Sequence, residues 1–89
     1  MLNMPEISRF FGIVIKMFFS DHAPPHFHAE YSGQEALVAI ETLEVLRGGL
    51  PRRALALVLE WAAVHRDALR ADWELARSGQ RLTPIPPLE

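Results

Sequence analysis

Between Pro51 and Ser78 the chain runs from Arg52 to Arg77, about 26 residues rich in Ala, Leu, Arg and Glu, without a glycine or a proline. These are strong helix formers. Pro51 stands at the first helical position, where its missing N–H costs nothing, and Ser78-Gly79 supplies a C-cap. The pattern predicts one long helix. In a chain of 89 residues such a helix needs a partner surface, and only the segment before it is long enough to provide one.

That segment reads as strands. Ile7 to Phe19 alternates, with Ile13, Ile15, Met17 and Phe19 on one face and Val14, Lys16 and Phe18 on the other. Asp21 through Pro25 reads as a turn or loop, because consecutive prolines block a central ladder. His26 to Tyr31 resumes the extended pattern and Ser32-Gly33 is a turn signal. Glu35 to Ile40 is a further strand with Ala36, Val38 and Ile40 on one face, Leu43 to Leu46 is a short fourth, and Gly48-Gly49 ends the series. The expected architecture is a single α+β domain over residues 1–89. It comprises a four-stranded antiparallel meander, one long helix packed across a sheet face, and a Pro-rich extended tail over residues 80–89.

At about 100° per residue, Arg52, Arg53, Glu60, Asp67, Arg70 and Glu74 share one polar arc of the helix. Leu55, Val58, Leu59, Trp61, Ala62, Leu69, Trp73, Leu75 and Ala76 fill the rest, an arc of roughly 200°. A helix lying on one small sheet needs about half of that. The excess apolar surface implies a second contact: a homo-oligomer, a small protein partner, or the C-terminal tail folding back. His65, Arg66 and Asp72 break into the apolar arc, and either ring the sheet edge or face a polar site. Trp61 and Trp73 lie on the apolar arc and are expected in a core or interface, not as a stacking platform for bases.

Asp21-His22-Ala23-Pro24-Pro25-His26-Phe27-His28 holds three of the four histidines and an aspartate within eight residues. Folding asks for no such concentration of imidazole, the side chain that binds metals and shuttles protons near neutral pH. On a strand, His26 and His28 project to one face, roughly 6.5–7 Å apart, with Phe27 on the other. That spacing suits two ligands of one ion. His22 or Asp21 is the candidate third, and Glu30 on the same face is a candidate fourth or an orienting carboxylate. Three N/O ligands with open positions define catalytic zinc and non-haem iron sites, so zinc, manganese or iron are the candidate cofactors. Used without a metal, His22, His26 and His28 act as acid and base on a phosphodiester. Arg9, Lys16 and Arg66 are then the candidate cations, Tyr31 a donor, and His65 a further imidazole. The third reading is structural: the histidines bond backbone carbonyls, and Asp21 caps the turn.

Composition excludes several classes. There is no cysteine, which removes disulfides, thiolate metal sites and cysteine nucleophiles and fits a reducing cytoplasm. No apolar run approaches the roughly 20 residues of a membrane span, and Met1 to Glu6 lacks the features of a signal peptide. A formal charge of −2 argues against general coating of nucleic acid but leaves room for a local phosphate contact.

Three stretches carry a family resemblance: Pro5 to Ile13, Asp21 to Tyr31, and Leu50 to Leu55 with Trp61 to Arg66, Leu69, Trp73 and Glu74. Together they resemble the prokaryotic domain-of-unknown-function 4160 family over roughly Met4 to Leu88, with DHxPPHFHxEY the most specific part. The resemblance implies a small bacterial protein often encoded beside another small domain, numbered 2442, in an arrangement like a toxin–antitoxin pair; some members are labelled transcriptional regulators. It singles out Arg9, Asp21, His22, Pro24, Pro25, His26, His28, Glu30, Tyr31, His65 and Arg66 without assigning roles. The leading expectation is therefore a cytoplasmic component of a toxin–antitoxin-like module, its histidine cluster acting on RNA as acid and base or through a metal. The alternative is a non-catalytic, partner-binding regulator with a structural or metal-binding cluster.

Overall fold

A computed structural model describes residues 5–89; Met1 to Met4, on which part of the signal-peptide reading rests, lie outside the described residues. The fold is α+β. Five strands, β1 (Glu6–Phe10), β2 (Ile13–Lys16), β3 (His26–Tyr31), β4 (Gln34–Ala39) and β5 (Val45–Gly48), form one antiparallel sheet in sequential order. Two helices follow, α1 (Arg52–Val64) and α2 (Arg66–Arg77). No described helix is long and apolar enough to cross a membrane.

The sheet has five strands where the sequence pattern suggested four, because the run from Ile7 to Phe19 folds on itself. Phe10 pairs with Ile13 across a two-residue turn, and both turn residues, Phe11 (φ 49°) and Gly12 (φ 80°), have positive φ. That is the mirror-image turn whose twist matches the flanking strands. Ser32-Gly33 repeats it at φ 50° and 80°, joining β3 to β4. The first turn is hidden in the sequence because phenylalanine rarely takes positive φ. The last strand lies two residues beyond the expected Leu43–Leu46. Gly48 (φ 71°) belongs to it, packed so closely on the Glu35 carbonyl that a Cβ there would collide.

Strand alternation sets the core. Ile13, Ile15 and Met17 are fully buried, as are Phe27, Ala29, Ala36, Val38 and Ile40. Phe27 meets Trp61 edge-on at 5.9 Å between ring centroids, so this face of the sheet carries the helices. Lys16, His28 and Leu37 are directly paired across β2, β3 and β4 and therefore share the opposite face.

The expected single helix is broken at His65 (φ −108°, ψ 24°), whose N–H is shared between the Trp61 and Ala62 carbonyls. A straight helix of this length would extend about 39 Å at 1.5 Å per residue, beyond the molecule's longest dimension of 33 Å. Bending lets both Trp61 and Trp73 reach the core, where they are 0% and 5% exposed. Arg66 fixes the joint by donating from Nε to the Ile40 carbonyl at 3.0 Å.

The C-terminal segment lies outside the helices and strands and is packed down. Ile85 N–H donates to the Ile7 carbonyl at 2.8 Å, the Trp61 indole N–H donates to the Pro86 carbonyl at 2.8 Å, and Leu82 and Ile85 join the core. Of the three ways to cover the wide apolar arc, the tail is the one this structure contains.

Thr83 N–H donates to Asp72 Oδ1 at 2.9 Å, while Oδ2 is buried with no partner. Burial pushes the Asp72 carboxyl up from its ordinary value, with the Thr83 N–H opposing only in part. A carboxyl raised in the folded state holds its proton more tightly there than in the unfolded chain. Its stabilising share is therefore complete below the ordinary value of 3.8 and is lost as pH rises through the folded value. Thermal melts between about pH 4 and 7 should show the wild type gaining on Asp72→Asn as pH falls; parallel curves would refute this.

Candidate functional site

The segment between β2 and β3 folds back over the end of the sheet, anchored to α2 by the Ser20 N–H donating to the Ala76 carbonyl at 3.3 Å. The anchor places Asp21 above β3, where His26 and His28 point the same way. Asp21 Oδ2 lies 3.0 Å from His26 Nε2 and 3.1 Å from His28 Nε2. Asp21 Oδ1 is occupied separately, accepting the His22 backbone N–H at 2.8 Å. Both imidazoles are buried, 5% and 6% exposed. Phe18 covers His28 with ring centroids 4.2 Å apart, and Trp73 flanks His26 at 5.3 Å.

The outer ring nitrogens decide the chemistry. His26 Nδ1 is 2.8 Å from the Pro24 carbonyl oxygen. A carbonyl only accepts, so Nδ1 carries the hydrogen and donates. His28 Nδ1 is 3.0 Å from Glu35 Oε2, and as a donor there it forms the carboxylate–imidazole pair that commonly orients a metal ligand. In the neutral tautomers so fixed, both Nε2 lone pairs converge on Asp21 Oδ2. Three acceptors meeting at about 3 Å need positive charge between them. A second proton on each ring supplies it by placing two cationic rings 5.2 Å apart; one divalent cation supplies it with both rings neutral.

The spacing suits the cation. Bonds of about 2.0–2.1 Å place neighbouring ligand atoms about 2.8–3.0 Å apart in an octahedral shell and about 3.3–3.4 Å apart in a tetrahedral one, a range that spans the 3.0 and 3.1 Å from Asp21 Oδ2 to the two Nε2 atoms. The Asp21, His26 and His28 donor atoms all lie within 4.8 Å of one another. In the metal-free alternative with both rings protonated, burial pushes the Asp21 carboxyl up, but hydrogen bonds from His28 and the His22 backbone N–H, with the charges of His26 and His28, outweigh it and hold the group below its ordinary range.

The other expected site residues lie elsewhere. His22 is exposed at the cleft rim and contributes its backbone, not its ring, to the contacts described. Glu30 pairs with Lys16 at 3.1 Å and is not among the converging atoms. Arg9 pairs with Glu6 at 2.8 Å on β1. Tyr31 ends β3, about 16 Å along the strand from His26 at ~3.3 Å per residue. His65 is half-buried at the helix joint, its ring 5.5 Å from Trp61, and Arg66 is committed to Ile40. The side chains of these six do not join the cluster.

Two residues that sequence reading passed over do bear on the site. Glu35 reaches His28 from β4, diagonal to it because His28 pairs with Leu37. The Ser32-Gly33 turn fixes that register, so counting outward from it would have found Glu35. Arg47 has no such signal. It pairs with Leu37 beyond a bulge that leaves Leu46 unpaired between Val45 and Arg47. Leu46 and Arg47 line the same cleft of about 350 Å³ as Asp21, His26 and His28.

Fold and site together define a small α+β domain with a candidate two-histidine, one-carboxylate centre on the sheet face away from the core. The description "Domain of unknown function (DUF4160)" matches residues 12–74, and the chain belongs to that family. The matched range contains the converging trio, Glu35 and Arg47, and excludes the tail. No curated protein and no solved structure matches the chain.

Proposed function

We propose that this protein is a divalent-metal protein of hydrolytic type, with Asp21 Oδ2, His26 Nε2 and His28 Nε2 as ligands. The observation that carries this reading is the convergence of the two Nε2 atoms on one Asp21 oxygen, at 3.0 and 3.1 Å, while each Nδ1 faces an acceptor, the Pro24 carbonyl or the Glu35 carboxylate. Pro24 and Glu35 hold the rings in that orientation. Three protein ligands leave positions open, and a bound zinc, manganese or iron ion supplies Lewis acidity and a water that ionises near neutral pH. Leu37 of β4 and Leu46 and Arg47 of β5 line the cleft beside the trio. The setting we propose is the toxin–antitoxin-like module that the family resemblance implies, with an RNA phosphodiester as substrate and a small protein neighbour as its restraint.

Elemental analysis of untagged protein, purified without chelator, tests the centre. About one divalent ion per chain is expected, falling to background in His26→Ala/His28→Ala with the circular dichroism spectrum retained. The same pair of proteins expressed without a neighbour tests the setting: the wild type slows growth and the double variant does not. Absence of metal after adding zinc, manganese or iron would overturn the metal reading in favour of a buried ion-pair scaffold.

A further inference from the structure

We propose that Arg47 is the anion-anchoring residue of this centre, and that the phosphoester group it holds carries an adjoining apolar or aromatic group. The inference deepens the metal-centre reading and rests on it. Lys16, His28, Leu37 and Arg47 form one cross-strand row through β2, β3, β4 and β5. The row places a cation at each end of the face that carries the candidate ligands. Lys16 is engaged by Glu30 at 3.1 Å. Arg9, Arg70 and Arg77 are likewise in ion pairs, and Arg66 is spent on a carbonyl. Arg47, like Arg52, Arg53 and Arg81, has no side-chain partner among the described residues, and of these four it is the one that lines the cleft.

Its position follows from the β4–β5 irregularity. A bulge sets two residues against one and re-aims their side chains, so Leu46 and Arg47 both face the cleft instead of alternating across the sheet. Leu46 is 43% exposed, a large apolar side chain held open to solvent beside Arg47, the one unpaired arginine lining the cleft among the described residues. Two strand spacings, about 9–10 Å, separate the backbones of His28 and Arg47. An extended guanidinium covers most of that gap, and a bound phosphoryl group covers the remainder. One phosphoryl oxygen then occupies an open position at the ligand trio and another accepts from the Arg47 fork, the bidentate match that arginine makes with phosphate. The ester's apolar group rests on Leu37, Leu46 and Phe18. A cleft of about 350 Å³ is at the lower end of small-ligand sites, room for one phosphoester group and its adjoining group at a time.

The test is calorimetric titration of zinc-loaded protein with phenyl phosphate and with inorganic phosphate. Phenyl phosphate should bind the wild type about 10-fold more tightly than inorganic phosphate, as expected for burying a ring. Arg47→Gln should weaken both about 10- to 100-fold at unchanged zinc stoichiometry, with partial recovery in Arg47→Lys. If Arg47→Gln binds both probes as the wild type does while holding zinc, Arg47 is not the anchor. Equal affinity for the two probes would overturn the apolar part of the substrate assignment. If the wild type takes up no zinc, the metal-centre reading fails, and this inference fails with it.

Discussion

Deleting residues 82–89 is expected to lower the melting temperature by roughly 15–30 °C and to make the remaining domain self-associate. Leu82 and Ile85 are 7% and 4% exposed, and burying such side chains contributes about 1.5–3 kcal/mol each, hence about 3–6 kcal/mol together. A domain of this size has only about 4–13 kcal/mol in total. Part of the loss is recovered, because Asp72 and the Trp61 indole regain water when the tail leaves. The uncovered surface is the apolar arc of the helices, and exposed patches of that kind associate. Thermal circular dichroism and size-exclusion chromatography read both effects. A truncated protein that melts like the full chain would mean that the tail is not docked in solution.

The second large effect is at the site. Asp21→Ala should weaken zinc binding about 100-fold or more: apparent zinc affinities of about 10–16 kcal/mol shared among four ligands come to about 3 kcal/mol each, and 1.4 kcal/mol is tenfold. Competition titration against a chromophoric chelator measures it. Asp21 is the sensitive position because a single oxygen, Oδ2, faces both imidazoles, so its removal breaks two contacts at once. Glu35→Gln, by contrast, disturbs only the orientation of His28. Wild-type affinity in the Asp21→Ala protein would place the ion elsewhere.

Much of this site was legible because it is local. His26 and His28 face the same way by strand alternation, and Asp21 comes round within the same loop. What sequence reading lacked was any means to choose between Asp21 and His22 as the third member. That choice depends on the loop's path, fixed by a hydrogen bond from Ser20 to Ala76 on a helix some fifty residues away. Glu35 and Arg47 arrive through cross-strand register, which no short motif encodes. The same distinction holds for the fold. The core alternation in β2 to β4 was readable, whereas the Phe11-Gly12 turn, the bend at His65 and the bulge at Leu46 were not. Each is imposed by packing against distant residues without a glycine or proline signature adequate to announce it.

The tail's hydrogen bond to Ile7 has a kinetic consequence. Each strand of the sheet pairs with its neighbour in sequence, so closing the sheet requires only short loops, and such contacts form early. The Ile7–Ile85 contact joins opposite ends of the chain and carries the largest loop-closure entropy. Docking of the tail is thus expected to come late in folding and to be lost early in unfolding. The Ile85 amide should exchange its hydrogen through a local opening that leaves the sheet amides protected.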